Sequence, residues 1–183
     1  MNPATDQSTR VLVAGIGNIF LGDDAFGVEV VRELARRPWP ERVQVLDFGI
    51  RSYDLAYALA GGCGAAILVD AMPQGQPPGT VYLLEPDLAQ PGEFEGATAD
   101  AHNMNPVQVL QMAKSLGGLP GRLYVVGCEP GEWEPNDGRL GLSGPVQAAL
   151  PKAMELVRSL VDELLELETR TTAGVKPVQK ENI

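Results

Sequence analysis

A layered α/β fold with a largely parallel sheet is predicted by two features of this chain. Between residues 10 and 70, short apolar runs bounded by glycines alternate with segments of helical periodicity, the rhythm of strands joined by crossover helices. The chain has 183 residues and is 44% hydrophobic, which suits one core, since a domain of about 150 residues already buries roughly 70% of its unfolded surface.

The first strand is "RVLVAGI", an apolar run closed by glycine and fit for burial on both faces. A helix is expected from about Asp24 to Arg37, with Asp23 as its N-cap, an apolar face of Phe26, Val30, Val31 and Leu34, and Pro38 as its stop. "RVQVLDF" reads as the second strand. "SYDLAYALAGG" reads as a helix started by Ser52 and ended by Gly61 and Gly62. "AAILVDA" is the third strand, ending at Asp70.

The rhythm then breaks. Only "AMPQGQPPG" separates Asp70 from the strand "TVYLLE", too little for a crossover helix, so the fourth strand is expected to run antiparallel to the third, and the spacing alone suggests a hairpin between them. About twenty irregular residues follow, "PDLAQPGEFEGATADAHNMN", and loops of that length are usually functional or disordered. A helix is predicted next, with Asn105 as cap, Pro106 in its first position, and Val107, Leu110, Ala113 and Leu116 on its apolar face. "RLYVVGC" is the fifth strand. A second irregular segment, holding Trp133, leads to a last helix over about 145–167, faced by Leu150, Ala153, Leu156, Val157, Leu160 and Leu164. Pro151 inside it removes the hydrogen bond to residue 147 and predicts a kink. Residues 1–9 and 169–183 are polar and aperiodic and are expected to be poorly ordered, leaving one domain over 10–168.

Composition narrows the function. A formal net charge of -10 argues against nucleic acid or an anionic membrane as partner, because both are held by an excess of Lys and Arg. No apolar run approaches a membrane span, and "MNPATDQSTR" lacks a basic start and an apolar core, so a cytoplasmic location is expected. The two cysteines, Cys63 and Cys128, are far apart and suit reduced thiols.

The turn after the first strand, "GIGNIFLGDDAFG", begins like a dinucleotide fingerprint. Gly15 and Gly17 fill two of its slots, but Phe20 stands in the third, and two carboxylates follow where a phosphate would need N–H groups. Asp47, ending the second strand, keeps one feature of a nucleotide-binding protein, so that reading stands as a minor alternative.

In an open α/β sheet, ligands bind beyond the carboxyl ends of the strands. Asp24 follows the first strand, Asp70 ends the third, and Cys128 and Glu129 end the fifth. If the first and third strands are neighbours, about 4.8 Å apart, both aspartates face one crevice, and His102, the only histidine, lies in the long loop that could close over it. Two carboxylates and an imidazole form a partial shell for a divalent metal such as nickel or zinc. Each also has a plain reading: Asp24 favouring a helix N-terminus, Asp70 bonding a turn, His102 solvated. Cys128 with His102 could instead make a thiol hydrolase pair, although buried thiols are mostly inert. Trp133 is either a hydrophobic anchor for a partner or a pin for its own loop.

From Arg10 to Glu166 the sequence resembles the hydrogenase maturation endopeptidases, through "GIGNIFLGDDAFGV", "ILVDA", "AHNMNPVQVL", "VGCEP" and "GLSGPV" in that order. The resemblance implies a three-layer α/β/α domain around a five-stranded mixed sheet of order 2-1-3-5-4 with the fourth strand antiparallel. It implies that Asp24, Asp70 and His102 bind nickel, Asp24 rather than Asp23 matching the family's acid; Asp24 and Asp70 are then the candidate catalytic residues, either one acting as general base on a water or both chiefly anchoring the metal while other groups orient the water. The implied activity is that of an endopeptidase grouped with the aspartic type. It would remove a C-terminal extension from the precursor of a nickel-iron hydrogenase large subunit, and nickel carried by the precursor, not bound permanently by the enzyme, would be the recognition signal. The pepsin-like pair of D-[ST]-G motifs is absent, so that mechanism does not transfer. A non-proteolytic, nickel-dependent checkpoint or chaperone of the same precursor is the alternative, and a monomer is the plainer expectation for one compact domain.

Overall fold

The computed structural model of the protein describes residues 10–88, 106–131 and 141–173. Five strands, β1 (Val11–Ile16), β2 (Val43–Gly49), β3 (Ala65–Ala71), β4 (Val81–Leu84) and β5 (Arg122–Cys128), form one sheet in the order β2-β1-β3-β5-β4. Four helices, α1 (Phe26–Ala35), α2 (Ser52–Ala60), α3 (Pro106–Leu116) and α4 (Gly144–Ala173), cover it.

Alternation along each strand divides the core into two layers. Val11, Val13, Ile67, Val69 and Val126 face Phe26, Val30 and Leu34 of α1 and Val157, Val161 and Leu164 of α4. Leu12, Ala14, Ala66, Leu68 and Val125 face Leu55 and Leu59 of α2 and Val109, Leu110 and Ala113 of α3. The sheet is therefore sandwiched between two helix pairs, and its central strands β1 and β3 are buried along their whole length. That double burial explains why both read as unbroken apolar runs.

β1, β2, β3 and β5 are mutually parallel, and β4 pairs antiparallel with β5, Val81 opposite Cys128 and Leu84 opposite Val125. β4 thus runs opposite to β3, as the short connection requires, but does not form the hairpin with β3 that spacing alone suggests. β5 occupies the place beside β3, and its pairing runs from Ala65–Arg122 to Ala71–Cys128.

Other boundaries differ from the sequence reading in instructive ways. Asp23 and Asp24 lie in a single 3-10 turn, Gly22–Ala25, and α1 begins at Phe26 with Ala25 in the cap position. Asp23 is not an N-cap, because its carboxylate is engaged elsewhere. Ser52 is the first residue of α2 and makes no side-chain cap. Leu116 is exposed at the end of α3. α4 runs through Pro151 and on to Ala173, beyond the end its apolar face suggests, so residues 169–173 of the expected tail continue the helix. The Asn105 cap, His102, Trp133 and both chain ends, 1–9 and 174–183, fall outside the described residues. Among those described, no helix is long and apolar enough to cross a membrane.

Candidate active site

The glycines of the first turn set the geometry. A Cβ on Gly27 would overlap the carbonyl oxygens of Val69 and Ile16, and one on Gly15 would meet Val31 and the Gly27 carbonyl. α1 can therefore lie almost directly on β1 and β3. Gly17, at φ +130°, turns the chain out of β1 where any side chain would strike the Asp24 carbonyl. The motif that imitates a phosphate loop thus serves close backbone packing, and its result is to carry an acidic turn over the end of β3.

Asp24 is 4% exposed and Asp70 is 8% exposed. The backbone N–H of Asn18 donates to Asp24 Oδ2 at 2.7 Å. Burial raises the Asp24 carboxyl above its ordinary value, and the Asn18 bond offsets part of that rise. Asp70 is raised well above the ordinary value, first by burial and then by the nearby charge of Asp24, against a smaller opposing effect of the Ala71 N–H. Two buried carboxyls that repel each other do not both ionise readily. Each carboxyl has one backbone N–H favouring its charged form, Asn18 for Asp24 and Ala71 for Asp70, and Asp70 is pushed further toward its neutral form.

Asp23 faces away from this pair. Fully buried, it accepts from the Gly131 N–H at 2.8 Å, the Ser143 N–H at 2.6 Å and the Ser143 hydroxyl at 2.9 Å. One carboxylate thereby ties the turn bearing Asp24 to the chain just after β5 and to the residue before α4. The neighbouring acids of "GDD" are divided between the buried pair with Asp70 and a clasp.

Glu129, 5% exposed, accepts from the N–H groups of Gln74 and Gly75 at 2.6 and 3.2 Å. Its own backbone bonds Thr80 and Gly79, and Met72 bonds the Cys128 carbonyl. The segment from β3 to β4 is therefore anchored on the end of β5, which fixes the chain immediately after Asp70. Tyr82 lies against Gly127, where a Cβ would strike its ring, and its hydroxyl donates to the Met72 carbonyl.

Cys128 is fully buried, and its thiol is pushed up to about 12 by burial, with the charges of Asp23 and Glu129 adding to the effect. Such a thiol is not a nucleophile at neutral pH. Asp47 is paired with the Arg32 guanidinium at 3.2 Å on the surface.

The structure thus buries Asp24 and Asp70 near enough for the charge of Asp24 to act on Asp70, while His102 lies outside the described residues. Among those described, no group of three or more His, Cys, Asp or Glu side chains is placed to hold a metal ion. The roles of Asp23, Asn18 and Tyr82, and the use Glu129 makes of its carboxylate, escaped the sequence reading. Their partners are distant in the chain or are backbone groups, and neither leaves a spacing pattern.

Comparison with known proteins gives a consistent result. The sequence profile of the hydrogenase maturation protease family matches residues 28–160. The hydrogenase 2 maturation protease of Escherichia coli is 30% identical over 175 residues, covering 95% of this chain and 98% of that protein. The hydrogenase expression/formation protein HupD of Bradyrhizobium diazoefficiens is 32% identical over 163 residues, 88% of this chain and 82% of that one. Among solved structures, the hydrogenase maturating endopeptidase HybD from Escherichia coli superposes with a TM-score of 0.72 at 33% identity, covering 84% of this chain and 93% of that chain.

Proposed function

The chain belongs to the hydrogenase maturation protease family, a family of peptidases, and from that premise we propose that it cuts a C-terminal extension from the nickel-loaded precursor of a nickel-iron hydrogenase large subunit. The observation that carries this reading is the buried pair Asp24 and Asp70, each pushed toward its neutral form. Such a pair gains most when a cation arrives, because the cation relieves both the repulsion and the cost of burial. Nickel delivered by the precursor is that cation, and it belongs to the substrate.

Two carboxylate oxygens suit a borderline divalent ion, and His102 is proposed as a further ligand. Binding releases the proton held on Asp70, so recognition is linked to ionisation of the pair. Asp24 or Asp70, once ionised, acts as general base on the water that attacks the scissile carbonyl, which is the sense in which the activity is aspartic-type. The protein acts as a monomer in the cytoplasm.

Incubation with nickel-loaded and nickel-free precursor, followed by mass spectrometry, tests the reading. Shortening of the loaded precursor alone is expected, and equal shortening of both would overturn nickel recognition. Tight binding of the loaded precursor without any shortening would make the protein a checkpoint and not a protease.

A further inference from the structure

Exposed apolar side chains of the described residues gather in two segments, with others at Leu46, Leu83 and Leu116. Among the described residues, the four most exposed large hydrophobic side chains are Phe20 at 71%, Tyr53 at 68%, Tyr57 at 63% and Ile50 at 62%, and Ile19 adds 36%. All five come from two segments, one after β1 and one running from the end of β2 into α2. The Gly17 N–H bonds the Gly49 carbonyl at 3.1 Å, which ties the two segments together at the carboxyl end of the sheet.

These side chains stand on fixed backbone. Asn18 Oδ1 accepts from the Phe20 N–H at 3.0 Å, closing an Asx turn that holds Phe20 outward, while the Asn18 N–H orients Asp24. Next to Ile50, the Arg51 guanidinium bonds the carbonyls of Phe48 and Asp47. The nearby charges are paired among themselves, Arg32 with Asp47 at 3.2 Å and Arg51 with Asp54 at 3.5 Å. An exposed apolar cluster on prearranged backbone, rimmed by satisfied charge, is the form of a docking surface, because little ordering cost opposes binding.

We infer that Ile19, Phe20, Ile50 and Tyr53 form an apolar ledge that docks an apolar segment of the precursor polypeptide beside the Asp24 and Asp70 pair, an inference that rests on the protease reading above. The occupant follows from continuity: the loop that presents Phe20 is the loop that orients Asp24, so a chain seated on the ledge lies next to the carboxylates. The ledge supplies affinity, and the carboxylates supply chemistry.

The test replaces Phe20 and Tyr53 by Ser, singly and together, with Leu116→Ser as an exposed apolar control. Binding of nickel-loaded precursor is measured by interferometry and processing by mass spectrometry, both over a range of precursor concentrations, and self-association by sedimentation. The double variant is expected to raise the dissociation constant and the half-saturating concentration about tenfold or more, with the saturated rate and the melting temperature unchanged and the control like wild type. Wild-type processing with unchanged precursor binding by the double variant would overturn the ledge while leaving the protease reading intact. Loss of self-association in place of precursor binding would assign the surface to a second copy of this chain and overturn it equally. A wild-type protein that neither binds nor cuts the precursor would remove both readings, whereas weakened binding in the variants without any cutting by wild type would remove only the protease reading.

Discussion

Ser143 gives both its backbone N–H and its hydroxyl to the carboxylate of Asp23, 120 residues earlier in the chain. Together with Gly131, this makes Asp23 the residue that holds the acidic turn against the ends of β5 and α4. Asp23→Ala leaves the part-buried N–H groups of Gly131 and Ser143 without their acceptor, and a loss of about 2 kcal/mol is expected from bonds to a charged group. Asp23→Asn, which keeps one acceptor oxygen, should lose less. Urea unfolding of both variants checks the order, and equal stability of Asp23→Ala and wild type would contradict the clasp.

Asp70 sets a pH dependence whose sign follows from its raised carboxyl. The folded protein holds a proton that the unfolded chain releases near pH 4, so the associated stability is present below that pH and is lost as pH rises through the folded value. Metal-free Asp70→Asn lacks this loss and should gain stability relative to wild type between pH 5 and pH 8, with a smaller slope remaining from Asp24. Melting curves at both pH values decide the matter, and parallel behaviour of the two proteins would refute it.

Gly27 lies where α1 meets the carbonyls of Ile16 and Val69. In Gly27→Ala the added methyl must displace the helix from the sheet, at a cost of about 1–3 kcal/mol typical of overpacking, and the turn bearing Asp24 moves with it. Both a lower urea midpoint and slower processing are expected. A variant as stable and as active as wild type would show that this contact does not position the turn.

Cys128 is buried with its thiol pushed up to about 12. It should resist alkylation at pH 8 in the folded protein and react once unfolded. Cys128→Ser should keep the processing rate at a modest cost in stability, because a hydroxyl in an apolar site is less favourable than a thiol. Abolished processing in a folded Cys128→Ser protein would revive the thiol mechanism.

The sheet was legible because its central strands are buried on both faces, which writes unbroken apolar runs such as "AAILVDA" into the chain. The neighbour of β4 was not, since a short connection fixes direction but not partner, and the insertion of β5 depends on packing between distant segments. The order of the strands came from family resemblance. At the candidate site, the carboxyl ends of β1 and β3 point to the acidic turn and to Asp70 by topology, and the choice of Asp24 over Asp23 rests on family resemblance. The division of labour between Asp23 and Asp24 was invisible, because adjacent acids look alike until Gly131 and Ser143 are brought to one of them. In the sequence Asp23 looks like a local cap for the same reason: local partners are visible there and remote ones are not.

The central claim is that Asp24 and Asp70 work as a single unit around the ion delivered by the client. Single-turnover processing of nickel-loaded precursor by Asp24→Asn, Asp70→Asn and the double variant tests it most directly. If the two act together, the double variant should be no slower than the worse single variant, since removing either partner already disables the pair. Losses that multiply, or a single variant that keeps the wild-type rate, would contradict the account.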